Sequence, residues 1–311
     1  MDMALEAYKK WHDSPRYKGI FFPAHYFLAV GQPSNNVQGG RWTDKTTSQL
    51  TKRGLPWTPL DSVSSARQRF PILSGKLAGP VFSGYCHEQA GWADAAKAIT
   101  QLRDDCVELG VSFLCGNAGT VVGFDSTNGV IKGAKTAAGT LVRGDRFILT
   151  AGSWAAGLVP FYNSVISTAQ VLGYIKLSDA EMEKYKNVPI YTNCLTGWFN
   201  FPPHEDTRTF KMAVHGWGYT RTPNKDESAR IKGLTSSTPP LRAKHGRPDF
   251  VPKDGEERLR EGLREILPEL ADRPFDQLAL CWYTDSPTGD FVMDYHPDYK
   301  NLFIGGSGSG Q

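Results

Sequence analysis

Arg146-Phe147-Ile148-Leu149-Thr150 runs straight into Ala151-Gly152-Ser153-Trp154, and this passage decides the fold. A short apolar run of this kind reads as a strand buried on both faces, as found inside parallel sheets. The small residues Ala151 and Gly152 then make a turn that lets another group approach the backbone closely. Working outward, residues 120–124, 130–136 and 140–143 read as three short strands. The turns Thr127-Asn128-Gly129 and Ala138-Gly139 join them as a meander. Val111-Ser112-Phe113-Leu114 reads as one more strand. Before it lies the clearest helix, over 92–109. Ala95, Ile99, Leu102, Cys106 and Leu109 recur at spacings of 4, 3, 4 and 3, a stripe expected to be buried, and Gly110 stops the helix.

Helix, strand, meander, strand and glycine turn, in that order, resemble the second half of a two-dinucleotide-binding-domain flavoprotein. The expected fold class is therefore α/β, an α+β composite with a mixed or antiparallel substrate sheet. Residues 170–177, 190–192, 197–201 and 209–215 alternate as strands of that sheet. Residues 222–253 read as a long polar excursion. Leu259, Leu263, Ile266 and Leu267 mark an amphipathic helix over 255–267, and 278–283 returns as a strand.

The N-terminal third is less regular. Residues 4–12 suggest a helix; 20–22 and 26–30 suggest two strands separated around Pro23. Residues 31–60 read as loop with a helical patch at 45–52. A short helix over 61–70 takes Asp61 as N-cap, and 79–83 reads as a strand. The expected domains are a mixed region (1–90), a cofactor-binding region (91–160), a substrate domain (161–285) and a return to the cofactor domain (286–311).

Composition narrows the function classes. A net charge of +3 with scattered basic residues argues against nucleic acid as a partner. The five cysteines show no CxxC pair and no Cys/His ligand spacing, which argues against a zinc site and against a secreted disulfide framework. Reduced thiols in an intracellular compartment are expected. No apolar run reaches the roughly 18 residues of a spanning helix, so no membrane partner is expected. The many aromatic residues suit either a core or an aromatic-lined cavity.

Leu280-Cys281-Trp282-Tyr283-Thr284-Asp285, then Asp294-Tyr295-His296-Pro297, then Leu302-Phe303-Ile304-Gly305-Gly306-Ser307-Gly308 complete the pattern. A lone cysteine in an apolar strand is by default a small buried hydrophobe. Cysteine, acidic-x-His-Pro turn and glycine loop, in this order, resemble the C-terminal half of the sarcosine oxidase and fructosyl amino acid oxidase (amadoriase) family. Gly91-Trp92-Ala93-Asp94-Ala95, Thr150-Ala151-Gly152, Gly197-Trp198-Phe199-Asn200-Phe201-Pro202-Pro203 and Leu270-Ala271-Asp272-Arg273-Pro274-Phe275 resemble it at matching places.

The resemblance implies an FAD-dependent oxidase of secondary amines, producing H2O2. It implies FAD held covalently through Cys281, with Val121, Thr150, Ala151, Gly152, Gly305, Gly306, Ser307 and Gly308 as cofactor contacts. Lys211 would activate oxygen, and His215, where fructosyl amino acid oxidases carry glutamate, would orient the substrate. Trp217 and Tyr283 would line the substrate cavity, although lone aromatics are more often core. The implied partners are a small amine and O2, the implied state a monomer, and the compartment cytoplasmic or peroxisomal. Ser309-Gly310-Gln311 carries no peroxisomal address.

The strand, GxGxxG turn and helix that hold an ADP pyrophosphate are not present in the sequence. The glycine run at 305–310 has no helix after it. The alternative expectation is therefore a truncated, FAD-poor remnant or ligand-binding module of the same family, without turnover.

Overall fold

The computed structural model describes residues 2–30, 37–78, 83–230, 237–240 and 251–309. The elements, in order, begin with α1 (Asp2–Asp13), β1 (Phe21–Val30), α2 (Val37–Lys52), β2 (Trp57–Leu60), α3 (Val63–Arg69), β3 (Ser83–Ala93) and α4 (Ala95–Glu108). The meander β4 (Val121–Thr127), β5 (Val130–Thr136) and β6 (Leu141–Arg143) follows, then β7 (Phe147–Leu149) and a 3-10 turn, Gly152–Gly157. Next come β8 (Ile166–Lys176), α5 (Asp179–Tyr185), β9 (Ile190–Asn193), β10 (Trp198–Asn200) and β11 (Thr209–Tyr219). The remainder is α6 (Lys225–Arg230), α7 (Lys253–Ile266), α8 (Pro268–Ala271), β12 (Gln277–Asp285), β13 (Val292–Tyr295) and β14 (Leu302–Gly306). Two units emerge. The first comprises Met1–Gly110, Val171–Gly216 and Pro248–Ala279; the second comprises Val111–Gln170, Trp217–Arg247 and Leu280–Gln311.

In the first unit the sheet order is β12-β8-β11-β10-β9-β1-β3-β2, with β8, β11 and β12 giving it only their stretches inside the unit. Alternation along β11 puts Phe210, Met212 and Val214 inside, each 2% exposed or less. Leu259, Leu263 and Ile266 on α7 are fully buried, so the 3.6-residue stripe read from the sequence is a core face. Trp198 on β10 lies against Gly262 of α7, where a Cβ would strike the indole ring, and its Nε1 donates to Leu259 O at 3.1 Å.

Glu265 is buried one turn from this contact. Its Oε1 accepts from the Tyr191 hydroxyl and, at 2.6 Å, from Asn193 Nδ2. Burial pushes its carboxyl above the ordinary value, outweighing the hydrogen bonds that oppose the rise. The backbone carbonyl of Glu265 accepts from Leu77 N at 2.8 Å, and Gly75 fits so closely against it that a Cβ would collide.

In the second unit β7 pairs in parallel with β14, Phe147 opposite Leu302 and Leu149 opposite Ile304, and β13 pairs antiparallel with β14. The meander forms a separate sheet, β4-β5-β6. Its first turn has Asn128 and Gly129 at φ +51° and +73°, the backbone that a two-residue hairpin requires. Asn301 stitches the two sheets together: its side chain accepts from Ile131 N at 2.9 Å and donates to Ile131 O at 3.0 Å.

Several expectations are corrected. Residues 21–22 and 26–30 belong to one strand, β1, with a bulge between Ala24 and Tyr26, and Ile20 lies in the turn before it. Pro23 is tolerated because β9 pairs with β1 only from Tyr26 onward. The expected loop over 31–60 contains α2 and β2, and residues 31–36 lie outside the described ones. Ser62, not Asp61, caps α3, in a reciprocal capping box with Ser65. Trp92 belongs to β3; α4 starts after Asp94, whose carboxylate accepts from Ala96 N and Lys97 N. Of the expected strand at 79–83, residues 79–82 lie outside the described ones and Ser83 opens β3. Residues 111–114 form no strand, since no neighbour among the described residues pairs with them. The stripe on α4 is not buried: Ile99 is 67% exposed and Leu109 83%. On β7 only one face is covered, and Ile148 on the other is 71% exposed.

Two stability predictions follow from this packing. Gly262→Ala should destabilise the chain by about 1–3 kcal/mol, read from the denaturant midpoint, because the Trp198 notch has no room for a methyl. Glu265 binds its proton more tightly in the folded chain than in the unfolded one. Its contribution is thus full below the ordinary value of 4.5 and is lost as pH rises through the elevated folded value. Midpoints measured across that window should fall more steeply with pH in wild type than in Glu265→Gln; parallel curves would contradict the assignment.

Candidate active site

Within the first unit, β11 carries Lys211 and His215 on the face opposite Phe210, Met212 and Val214. Ala213 lies between them in a cluster with Leu172 and Ala279, against Tyr174 and Phe199. Lys211 is half-buried and His215 exposed. The Lys211 ammonium stands 5.2 Å from the Phe201 ring centroid, and Phe201 N donates to Lys211 O at 3.1 Å.

His215 is placed by the turn before β10. Asn193 Oδ1 accepts from Leu195 N at 2.8 Å, Gly197 N donates to Asn193 O at 2.9 Å, and His215 N donates to Gly197 O at 2.8 Å. Gly197 has φ +72°, and a Cβ there would run into His215 O. Only glycine allows this crossing.

The remaining expected site residues lie in the second unit. Thr150, Ala151 and Gly152 follow β7, while Gly305 and Gly306 end its parallel partner β14. The two ends are side by side: a Cβ on Gly305 would stand 3.2 Å from Thr150 Cγ2. The carboxyl ends of parallel strands are where α/β proteins bind ligands. Ser153 O anchors the turn, accepting from Ser167 Oγ at 2.9 Å and Thr238 Oγ1 at 3.2 Å. Trp154 Nε1 donates to Pro240 O at 3.0 Å. Val121 packs against the cluster that contains Leu149 and Ile304.

Past Gly306, Ser307 is buried at φ +60°, and its hydroxyl donates to Thr284 O at 3.4 Å. Ser309 Oγ accepts from Thr284 N at 2.8 Å. The glycine loop is thereby tied to β12, which carries Cys281 and Tyr283. Cys281 is exposed, contrary to the usual burial of a strand cysteine. Burial pushes the Tyr283 phenol up, with Cys281 and Asp285 adding to the shift. Trp217 is 97% exposed and so is not a core aromatic. Gly308 is exposed beside Ser307.

His296, from the acidic-x-His-Pro turn, is structural. Its Nδ1 accepts from Asp298 N at 3.1 Å, which leaves the proton on Nε2 to be donated to Pro160 O at 2.8 Å. Asp94, His204 and Asp206 bring ligand atoms within 4.8 Å of one another. Those atoms already have partners: His204 Nε2 bonds Asp94 at 3.1 Å, and the Lys97 ammonium pairs with Asp206.

The second unit offers a test of fit to a flavin. Positions Gly152 and Gly306 have open space where a Cβ would stand, so a flat ring can approach both backbones. Thr284 Oγ1 is buried without a hydrogen-bond partner. Two open glycines at neighbouring strand ends are compatible with the ring half of FAD, while Cys281 and Thr284 fall on opposite faces of β12. For the ADP half, no strand–glycine turn–helix unit occurs among the described residues. The contacts of Phe201 with Lys211 and of Ser309 with Thr284 are not legible in the sequence, because each depends on neighbours from another strand or loop.

A family model described as FAD dependent oxidoreductase (DAO) matches residues 1–311. L-saccharopine oxidase of Schizosaccharomyces pombe is 26% identical over 326 residues, covering 100% of this chain and 72% of that protein. Amino acid oxidase fsqB of Aspergillus fumigatus is 26% identical over 270 residues, covering 72% of this chain and 54% of that one. Among solved structures, fructosamine oxidase (Amadoriase II) from Aspergillus fumigatus superposes with TM-score 0.81 at 28% identity, over 98% of this chain and 67% of its own. Fructosyl peptide oxidase from E. terrenum gives 0.84 at 26% identity, over 100% and 71%. The mixed α/β architecture expected from the sequence is thus that of these oxidases.

Thiol reactivity checks the site geometry. In flavin-free chain, Cys281 and Cys115 should be alkylated first and Cys86 last, followed by peptide mass mapping. A Cys281 as slow as Cys86 would contradict its exposed position.

Proposed function

Because the chain belongs to the DAO family of FAD-dependent oxidoreductases, we propose that it oxidises the C–N bond of a secondary amine, with O2 as final acceptor and H2O2 as product. The substrate class is an N-alkyl, glycated or saccharopine-like amino acid, in line with the names of its relatives. The observation that carries this reading is the cluster of Thr150, Gly152, Gly305 and Gly306 at two parallel strand ends, with the glycine loop bound to the strand of an exposed Cys281.

Bound FAD would supply the two-electron acceptor for C–H oxidation beside the amine nitrogen and the electron donor for O2. The chain's own residues divide the rest. Cys281, exposed on β12, would be the residue that holds the flavin. Lys211 offers a fixed cation to the superoxide that forms when O2 takes its first electron, the moment at which negative charge appears. His215, which donates or accepts, orients the amine substrate. The imine product hydrolyses in water to an amine and a carbonyl compound.

A tryptic digest searched for a flavin-modified Cys281 peptide, together with a peroxide assay over an amine panel, tests the proposal. A folded, colourless chain that forms no peroxide would defeat it. Ligand-induced thermal stabilisation in that chain would instead identify a binding module. In the active protein, Lys211→Met should slow reoxidation by O2 about 10²-fold and leave flavin reduction nearly unchanged. Equal slowing of both half-reactions would remove Lys211 from the oxygen step. His215→Glu should move preference towards glycated amino acids.

A further inference from the structure

We propose that Phe201 is a positioning residue for Lys211, an inference that rests on the reading of Lys211 as the oxygen-activating cation. A lysine ammonium sits on a flexible four-carbon stem, so a single location needs a partner that restrains it. An aromatic face restrains the cation while adding no formal negative charge. The Lys211 ammonium stands 5.2 Å from the Phe201 centroid, and the two residues also share a cross-strand backbone hydrogen bond of 3.1 Å.

The ring is itself held. Phe199 meets it edge-on at 5.7 Å and 89°, and Trp92 approaches at 6.3 Å and 46°. Trp92 is stacked on Phe22 at 4.5 Å and 22°, and lies 5.3 Å from the His204 ring. His204 Nε2 bonds Asp94 at 3.1 Å, and Asp94 caps α4. Pro202 and Pro203 stiffen the chain immediately after the ring. Phe201 is thus the end of an aromatic column fixed at a helix cap, with Lys211 placed on its face.

The test has a readout that needs no cofactor. With the lysines carrying 13C-methyl labels, the Lys211 resonance, assigned by its loss in Lys211→Arg, should be displaced from the other lysines by the Phe201 ring current. Phe201→Leu should return it to them, and Phe201→Tyr should keep it displaced. An undisplaced signal in wild type overturns the proposal without any Phe201 variant. In flavin-loaded protein, Phe201→Leu should lower the rate of reoxidation by about 2- to 5-fold, the ratio expected for one cation–π contact. Flavin reduction should be unchanged, and Phe201→Tyr should restore the rate. Equal loss in both half-reactions means a merely structural role and overturns the inference. If Lys211→Met slows reoxidation and Phe201→Leu does not, only the role of Phe201 fails; if Lys211→Met has no effect, the oxygen-step reading fails and takes this inference with it.

Discussion

The pleat of β11 is the constraint on which the first unit depends. Phe210, Met212 and Val214 must face the side of the sheet on which Trp198, the partner of Val214, is buried, so Lys211, Ala213 and His215 must face the other way. A slip of one residue would bury the charged set and expose the apolar one. Three local features resist that slip. Trp198 fits into the notch at Gly262, Gly197 permits the backbone of His215 to cross closely, and Phe201 pairs with Lys211. The chemistry proposed for Lys211 and His215 therefore inherits its geometry from core packing on the reverse side of the sheet.

The second unit relies on a different device. Two parallel strands end together in small residues, and side-chain hydrogen bonds then fix the loops that leave them. Ser153 gathers Ser167 and Thr238, while Thr284 gathers Ser307 and Ser309. Glycines provide the access and hydroxyls the rigidity. Ser307 keeps a left-handed backbone although it is not glycine, and its burial and hydrogen bond offset the strain.

Much of the architecture was legible because its signals are periodic. Residues 209–215 alternate, 255–267 repeat at helical spacing, and Asn128-Gly129 specifies a hairpin turn. β2 and the first half of α2 were not legible, while the helical patch read at 45–52 lies within α2. Residues 37–52 are rich in Gly, Thr and Gln, and the helix is held by tertiary contacts such as Leu50 on Leu28 and Tyr85. Asp61 and Ser62 are both good N-caps, and only the capping box with Ser65 decides between them. The stripe on α4 was read correctly as a pattern, yet Ile99 and Leu109 are exposed. Periodicity reports which face is apolar; it does not report what covers it. For the proposed site, motif order singled out the glycine turns, Cys281 and Lys211 as candidates. The ring beneath Lys211 and the unsatisfied Thr284 hydroxyl depend on register, which no single stretch of sequence encodes.

Trp217, flanked by Gly216 and Gly218, holds its indole almost wholly in water, whereas Trp198 is sealed in the core. The chain therefore contains one tryptophan whose emission is red-shifted by water and one whose emission is blue-shifted by burial. Anything that settles over the glycine-flanked indole will shift or quench its light while the sealed one stays constant. The protein thus has an optical gauge of occupancy with its own internal reference.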